Sequence, residues 1–119
     1  MEVIDINVPY TRSQSTFHLY DFSDIHAGTI HCVEEHVKRK AREIKSDKNS
    51  MWIGGGDYGD FITPKDKRWD SGQISSWVDV NDIGESVRVW LRDLFTPIAS
   101  QCIGLLKGNH EVSYSQQND

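Results

Sequence analysis

Three short stretches of the chain hold the residue types that bind metal ions or move protons: Ser23-Asp24-Ile25-His26, Gly56-Asp57-Tyr58-Gly59-Asp60 and Gly108-Asn109-His110-Glu111. Asp24 and His26 stand two apart, so in extended backbone they point the same way, and a carboxylate oxygen and an imidazole nitrogen can share one ion. Asp57 has two carboxylate oxygens and could bridge that ion to a second. The amide oxygen of Asn109 is a hard neutral ligand, suited to manganese, iron, magnesium or zinc in a site rich in oxygen and nitrogen. A D-x-H alone arises often by chance, and a lone histidine is more often a surface or satisfied core residue than a ligand. Three such pieces, each closing an apolar segment, point together to one metal site.

The middle stretch admits another chemistry. Gly54, Gly56 and Gly59 spell G-x-G-x-x-G after an apolar run, a spacing that can cradle a dinucleotide pyrophosphate. That loop needs a helix directly after its third glycine, whereas Asp60-Phe61-Ile62-Thr63-Pro64 lacks helical periodicity and carries a proline. Asp57 would also meet the pyrophosphate with like charge. The glycines fit better as relief of crowding around a metal-binding carboxylate.

The elements that must position these residues are readable from the apolar pattern. Residues 17–22 (FHLYDF), 51–53 (MWI) and 102–106 (CIGLL) read as buried strands. Between the first two, residues 29–45 place Ile30, Val33, Val37, Ala41 and Ile44 on one helical stripe, with Glu34 and Glu35 early and basic residues late, as the helix dipole favours. Between the second and third, Asp82 and Glu85 have capping-box spacing. Ile83, Val87, Trp90, Leu91, Leu94 and Phe95 then form an apolar face that Pro97 should end or kink. The result is an α/β domain with a parallel β-α-β-α-β order, in which ligands bind beyond the carboxyl ends of the strands. The connection from Tyr58 to Asn81 lacks clear periodicity and reads as a partly ordered functional loop. The polar end, SYSQQND, is expected to fray.

Bulk properties narrow the function classes. The chain has 119 residues, enough for one core, and its 13 basic against 18 acidic residues give a net charge of −5, the wrong sign for steering toward a polyanion. No leader pattern and no membrane-length apolar run is present, so no membrane partner is expected. Two well-separated cysteines, Cys32 and Cys102, suit reduced thiols in a cytoplasmic protein. Cys32 and His36 lie one helical turn apart but lack a second pair to complete a metal site. His18 and His31 read as surface or strand residues. Lys38, Arg39, Lys40 and Arg42 read as a solvated helix face, and Trp69 and Trp77 as loop packing in preference to base stacking.

With these residues in view, the chain resembles the calcineurin-like metallophosphoesterases, whose signature runs D-x-H, G-D and G-N-H-[DE]. SDIHAG, GGDYGD and KGNHE match all three in order. The resemblance implies that Asp24 and His26 bind a first metal, that Asp57 bridges, and that Asn109 binds a second. Manganese is the first expectation for both ions, with iron, zinc or magnesium as alternatives. It implies that His110 lies near the metals without binding them and acts on the phosphoryl group or leaving oxygen. Asp60 matches the acid that pairs with this histidine and keeps it charged, which suits a general acid. The substrate so implied is a phosphate mono- or diester. Phe61 stands where the protein-phosphatase branch carries arginine, which turns the expectation toward a nucleotide or nucleic-acid phosphodiester. The family pattern continues with a further histidine and a G-H-x-H on a second sheet, and neither occurs here. Residues 1–119 therefore read as one domain truncated at its C-terminal side, the first half of a metallophosphoesterase-type α/β sandwich with its second sheet missing. Its uncovered sheet face is expected to self-associate. The alternative is a non-catalytic remnant or half-module completed by a further segment or partner chain.

Overall fold

The computed structural model describes residues 1–118. Strand β1 (His18–Ser23) is followed by helix α1 (Glu34–Ser46), β2 (Ser50–Gly56), α2 (Ile83–Phe95), β3 (Cys102–Leu105) and α3 (Asn109–Asn118). The strands pair in parallel in the order β1-β2-β3, with Tyr20 opposite Trp52 and Trp52 opposite Cys102. Both crossovers step the same way along the sheet, so right-handed connections bring α1 and α2 to one face, where they touch each other.

That face holds the core. Phe22 of β1, Trp52 of β2, Ala41 and Ile44 of α1, and Val87 and Leu94 of α2 are buried together with Ile98, from the 3-10 turn Thr96–Gln101. Trp52 is the largest of the fully buried side chains; its ring stacks on Phe95 at 4.7 Å and meets Phe22 edge-on at 5.6 Å. Its indole Nε1 donates to the Ile98 carbonyl at 2.8 Å, so the one polar atom of the ring is satisfied. The opposite face carries Leu19, 67% exposed, level with Met51.

Capping explains α2 and corrects α1. Asp82 accepts from the Glu85 amide at 3.3 Å, but Glu85 turns to Arg88 instead of reaching back, so half of the expected capping box forms. The helix ends at Phe95, one residue before the turn containing Pro97. Helix α1 starts at Glu34, not in the Thr29–Val33 region that the apolar stripe suggested, and Ile30 and Val33 are exposed. Thr29 bridges to Ile74 across the chain, and its hydroxyl accepts from the His31 amide at 3.2 Å, which winds these residues into turns.

The C-terminal end differs from the fraying expected there. Residues 109–118 form α3, whose Tyr114 ring packs on Phe61 at 5.2 Å between centroids; Asp119 lies outside the described residues. Among the described residues no helix is long and apolar enough to cross a membrane.

Candidate metal centre

Beyond the strand ends the β1 and β2 chains stay zipped together. The amides of Asp24 and His26 donate to the carbonyls of Gly56 and Asp57, both at 3.1 Å, and Ala27 donates to Tyr58 at 2.9 Å. This pairing holds the backbone in an unusual path. Among the described residues, Asp24, His26, Asp57 and Phe61 are the non-glycine residues with left-handed backbone, at φ 54°, 51°, 53° and 51°. Each such residue costs on the order of 1–3 kcal/mol, and such strain gathers at functional sites. The extended backbone expected between Asp24 and His26 is therefore incorrect: both residues are left-handed. Their side chains nonetheless meet, His26 Nε2 lying 3.6 Å from Asp24 Oδ1.

Asp24, His26 and Asp57 bring one ligand atom each within 4.8 Å of one another. Asn109, the first residue of α3, stands against the same Asp57 carboxylate. With its amide nitrogen turned toward the acid it donates to Oδ2 at 2.7 Å and Oδ1 at 3.0 Å. The opposite rotamer would set amide and carboxylate oxygens face to face, an arrangement that a cation stabilises and that is otherwise repulsive. The His110 amide, in the first turn of α3, also donates to Asp57 Oδ1 at 2.9 Å, so the helix N-terminus steadies that carboxylate.

Glu111 is the residue whose part sequence reasoning missed. Its carboxylate accepts from four backbone amides: Asp57 at 3.0 Å, Tyr58 at 2.7 Å, Gly59 at 3.4 Å and Gly108 at 3.0 Å. One side chain thus ties the loop after β2 to the loop after β3. The signal was present as the acid that closes G-N-H-E. The two loops also need Gly56 and Gly108. Gly56 has φ +102°, and a β-carbon there would lie 2.8 Å from Gly108, while one on Gly108 would run into the Asp57 amide and carboxylate.

The histidines divide their nitrogens. His26 turns Nε2 to Asp24 and Nδ1 to Asp60 Oδ1 at 3.5 Å, so Asp60 can fix the ring while the other nitrogen faces the ligand cluster. His110 packs edge-on to His26 with centroids 4.7 Å apart. Its Nδ1–H donates to the main-chain carbonyl of Asp60 at 2.7 Å, with the carboxylate farther away at 3.5 Å. The acid expected to hold His110 thus does so chiefly through its backbone. Burial raises the Asp60 carboxyl above its usual range, against the pull of His110, His26 and Arg68.

His26, Asp60 and His110 form a second cluster of ligand type. In it His110 Nδ1 is already committed to the Asp60 carbonyl, so the cluster of Asp24, His26 and Asp57 is the better cation site. Its donor set, two carboxylates and an imidazole with an amide adjacent, fits a hard or borderline divalent ion. Cys32 and His36 belong to no such cluster among the described residues. Burial and nearby Glu34 push the Cys32 thiol up to about 11, which disfavours the thiolate a metal would need. His31 is exposed and meets Gln73; Trp77 stacks on Trp90 at 5.8 Å, and Trp69 packs against the core, so both tryptophans serve packing. No helix follows Gly59, and residues 60–70 form a loop, unlike a dinucleotide cradle.

Compared with models of known families, with curated proteins and with solved structures, the chain matches none.

Proposed function

We propose that this chain carries the first half of a metal-dependent phosphoesterase site of the calcineurin-like type. In this reading Asp24, His26 and Asp57 hold one divalent ion, manganese first, and Asp57 and Asn109 offer donors to a second. The observation that carries it is the coincidence of strain with ligand type. Of the four non-glycine residues with left-handed backbone among those described, three are Asp24, His26 and Asp57, and their ligand atoms converge. A fold keeps such conformations where surrounding contacts enforce them, and Glu111 and the paired loops supply that enforcement here.

When bound, the ions would neutralise phosphate oxygens and make hydroxide available near neutral pH. The chain's own residues supply orientation and a proton. His110 keeps its Nδ1 proton on the Asp60 carbonyl, so it is a second proton, carried on Nε2, that would be delivered to the leaving oxygen of an ester. Asp60 orients His26, and Glu111 fixes the backbone that carries Asp57. The first ion keeps three protein ligands and the second two, which supports weak first-site binding in this chain alone.

A half-module reading is favoured by one feature, the exposed Leu19 on the uncovered sheet face. Calorimetric titration with manganese and hydrolysis of bis-p-nitrophenyl phosphate separate the two. The phosphoesterase reading expects a binding event removed by Asp57→Asn and turnover reduced about 10²- to 10⁴-fold by His110→Ala. Manganese binding without turnover supports the half-module, and no manganese binding by the unaltered chain ends both versions of the metal site.

A further inference from the structure

The loop before the turn Ser71–Gln73 contains Lys65-Asp66-Lys67-Arg68, three cations around one acid in an otherwise acidic chain. Asp66 is buried, with its side chain 5% exposed, whereas the Arg68 side chain is 37% exposed. The two form a two-pronged contact: Arg68 Nε to Oδ1 at 3.0 Å and Nη2 to Oδ2 at 2.7 Å. The Arg68 amide donates to the same Oδ1 at 2.8 Å, so the acid holds both ends of the residue. A guanidinium fixed along one edge has a defined direction for its remaining nitrogen, and Nη1 points to His110 Nε2 at 3.5 Å.

Arg68 also lines an open cleft of about 380 Å³ together with Asp24, His26 and Asp60. On its other side it borders a second opening with Asn109 and Lys65. It thus stands between the ligands of the two ion positions, beside the nitrogen that would protonate a leaving group. Neutralising buried Asp66 uses one edge of the guanidinium, and the long 3.5 Å approach to His110 Nε2 leaves Nη1 only weakly bonded beside the ligands. Planar N–H pairs of this kind recognise the oxygens of phosphate.

We propose that Arg68 binds a non-bridging oxygen of the substrate's phosphoryl group, that Asp66 positions it, and that the site therefore prefers a terminal phosphate monoester. A monoester offers three non-bridging oxygens and up to two charges, a diester two oxygens and one charge, so a fixed cation beside the ions favours the former. Phe61 carries no hydrogen-bond donor, and Arg68, farther along the same loop, supplies one. A monoester preference departs from the phosphodiester expectation read from Phe61. This inference rests on the metal-site reading for its second set of phosphate contacts, but the arginine clamp can be tested apart from it.

The test is equilibrium binding of inorganic phosphate and of dimethyl phosphate, with and without manganese, to the full chain and to Arg68→Gln, Arg68→Lys and Asp66→Asn. Manganese affinity and thermal melting are measured alongside. Loss of one charge-assisted contact should weaken phosphate about 10- to 100-fold in Arg68→Gln and leave manganese affinity within threefold. Arg68→Lys, which keeps a charge for Asp66 but loses the fork, should recover only part of that loss. Asp66→Asn should weaken phosphate with the arginine intact, and each loss should be smaller for dimethyl phosphate. Equal phosphate binding by the unaltered chain and folded Arg68→Lys and Arg68→Gln overturns the proposal while the metal reading stands. So does manganese binding with no phosphate binding by the unaltered chain. Arginine-dependent phosphate binding without any manganese binding sustains the clamp and removes the metal reading. Binding of neither probe overturns both.

Discussion

The helix-covered face of the sheet and its carboxyl edge are built by opposite rules. On the covered face each residue sits where the apolar period of its strand or helix puts it. Phe22 and Trp52 lie in strands, Ala41, Ile44, Val87 and Leu94 lie on helices, and the contacts are apolar and close. At the edge, Asp24, His26 and Asp57 adopt a backbone that disfavours side chains, and three aspartates crowd one small region. Polar contacts hold the edge together, above all the four amides on Glu111. The packed face is thus the source of stability, and the edge is held in a costly shape that the packed face makes affordable.

The largest blow to this division is Trp52→Ala. It removes the most extensive fully buried side chain and should cost about 3–5 kcal/mol, enough to unfold a small domain, as read by urea denaturation. Glu111→Gln should come next, because an amide oxygen replaces two carboxylate oxygens and leaves amides of the β2 loop without partners. A loss of about 1–3 kcal/mol is expected, with manganese affinity reduced about 10- to 100-fold as the Asp57 backbone loosens. If Glu111→Gln left both quantities unchanged, the edge would not depend on that carboxylate.

A substitution of opposite sign sharpens the contrast. Asp24→Gly removes a side chain from a residue with φ 54°, a conformation glycine adopts freely, and thins the acidic cluster. The metal-free protein should gain about 0.5–1 kcal/mol while manganese affinity falls. Glycine in extended backbone would instead destabilise by a similar amount, so the sign of the change in a thermal melt reports whether the edge is strained.

The same contrast explains what the sequence disclosed. Strands, helix α2 and the parallel order were readable because Trp52, Val87 and their neighbours follow regular periods that burial imposes. The motif residues could be named because residue type and position at strand ends carry chemical meaning. Three things were not readable. The helical stripe through Ile30 and Val33 was overridden by the Thr29 hydroxyl and its bridge to Ile74, a contact made across more than forty positions of sequence. The left-handed path at Asp24 and His26 arises from pairing with the β2 loop, not from either residue's own preference. The roles of Glu111 and Arg68 depend on which amides and rings lie near them in space. Arg68 in particular sits in a segment without periodicity, where its contacts with Asp66 and His110 fix its direction.

The smallest change expected is at Asp60, and its sign depends on pH. Burial raises this carboxyl above its ordinary value of 3.8, with His110, His26 and Arg68 pulling it back. A folded-state value above the unfolded one means that the native protein binds the extra proton between the two. The contribution to stability is therefore full below about pH 4 and is lost as pH rises through the folded value. Asp60→Asn cannot ionise, so its stability relative to the unaltered chain should climb from about pH 4 and level off above the raised value. Subtracting the two urea-denaturation profiles cancels carboxylates common to both, including Glu85, whose pairing with Arg88 shifts it the other way. Manganese binding should move oppositely, since Asp60 steadies His26 through Nδ1 at 3.5 Å and the asparagine should bind the ion less tightly. Parallel profiles from pH 3.5 to 7 would mean that the Asp60 carboxylate is as well solvated folded as unfolded, which would remove it from the costly side of the comparison.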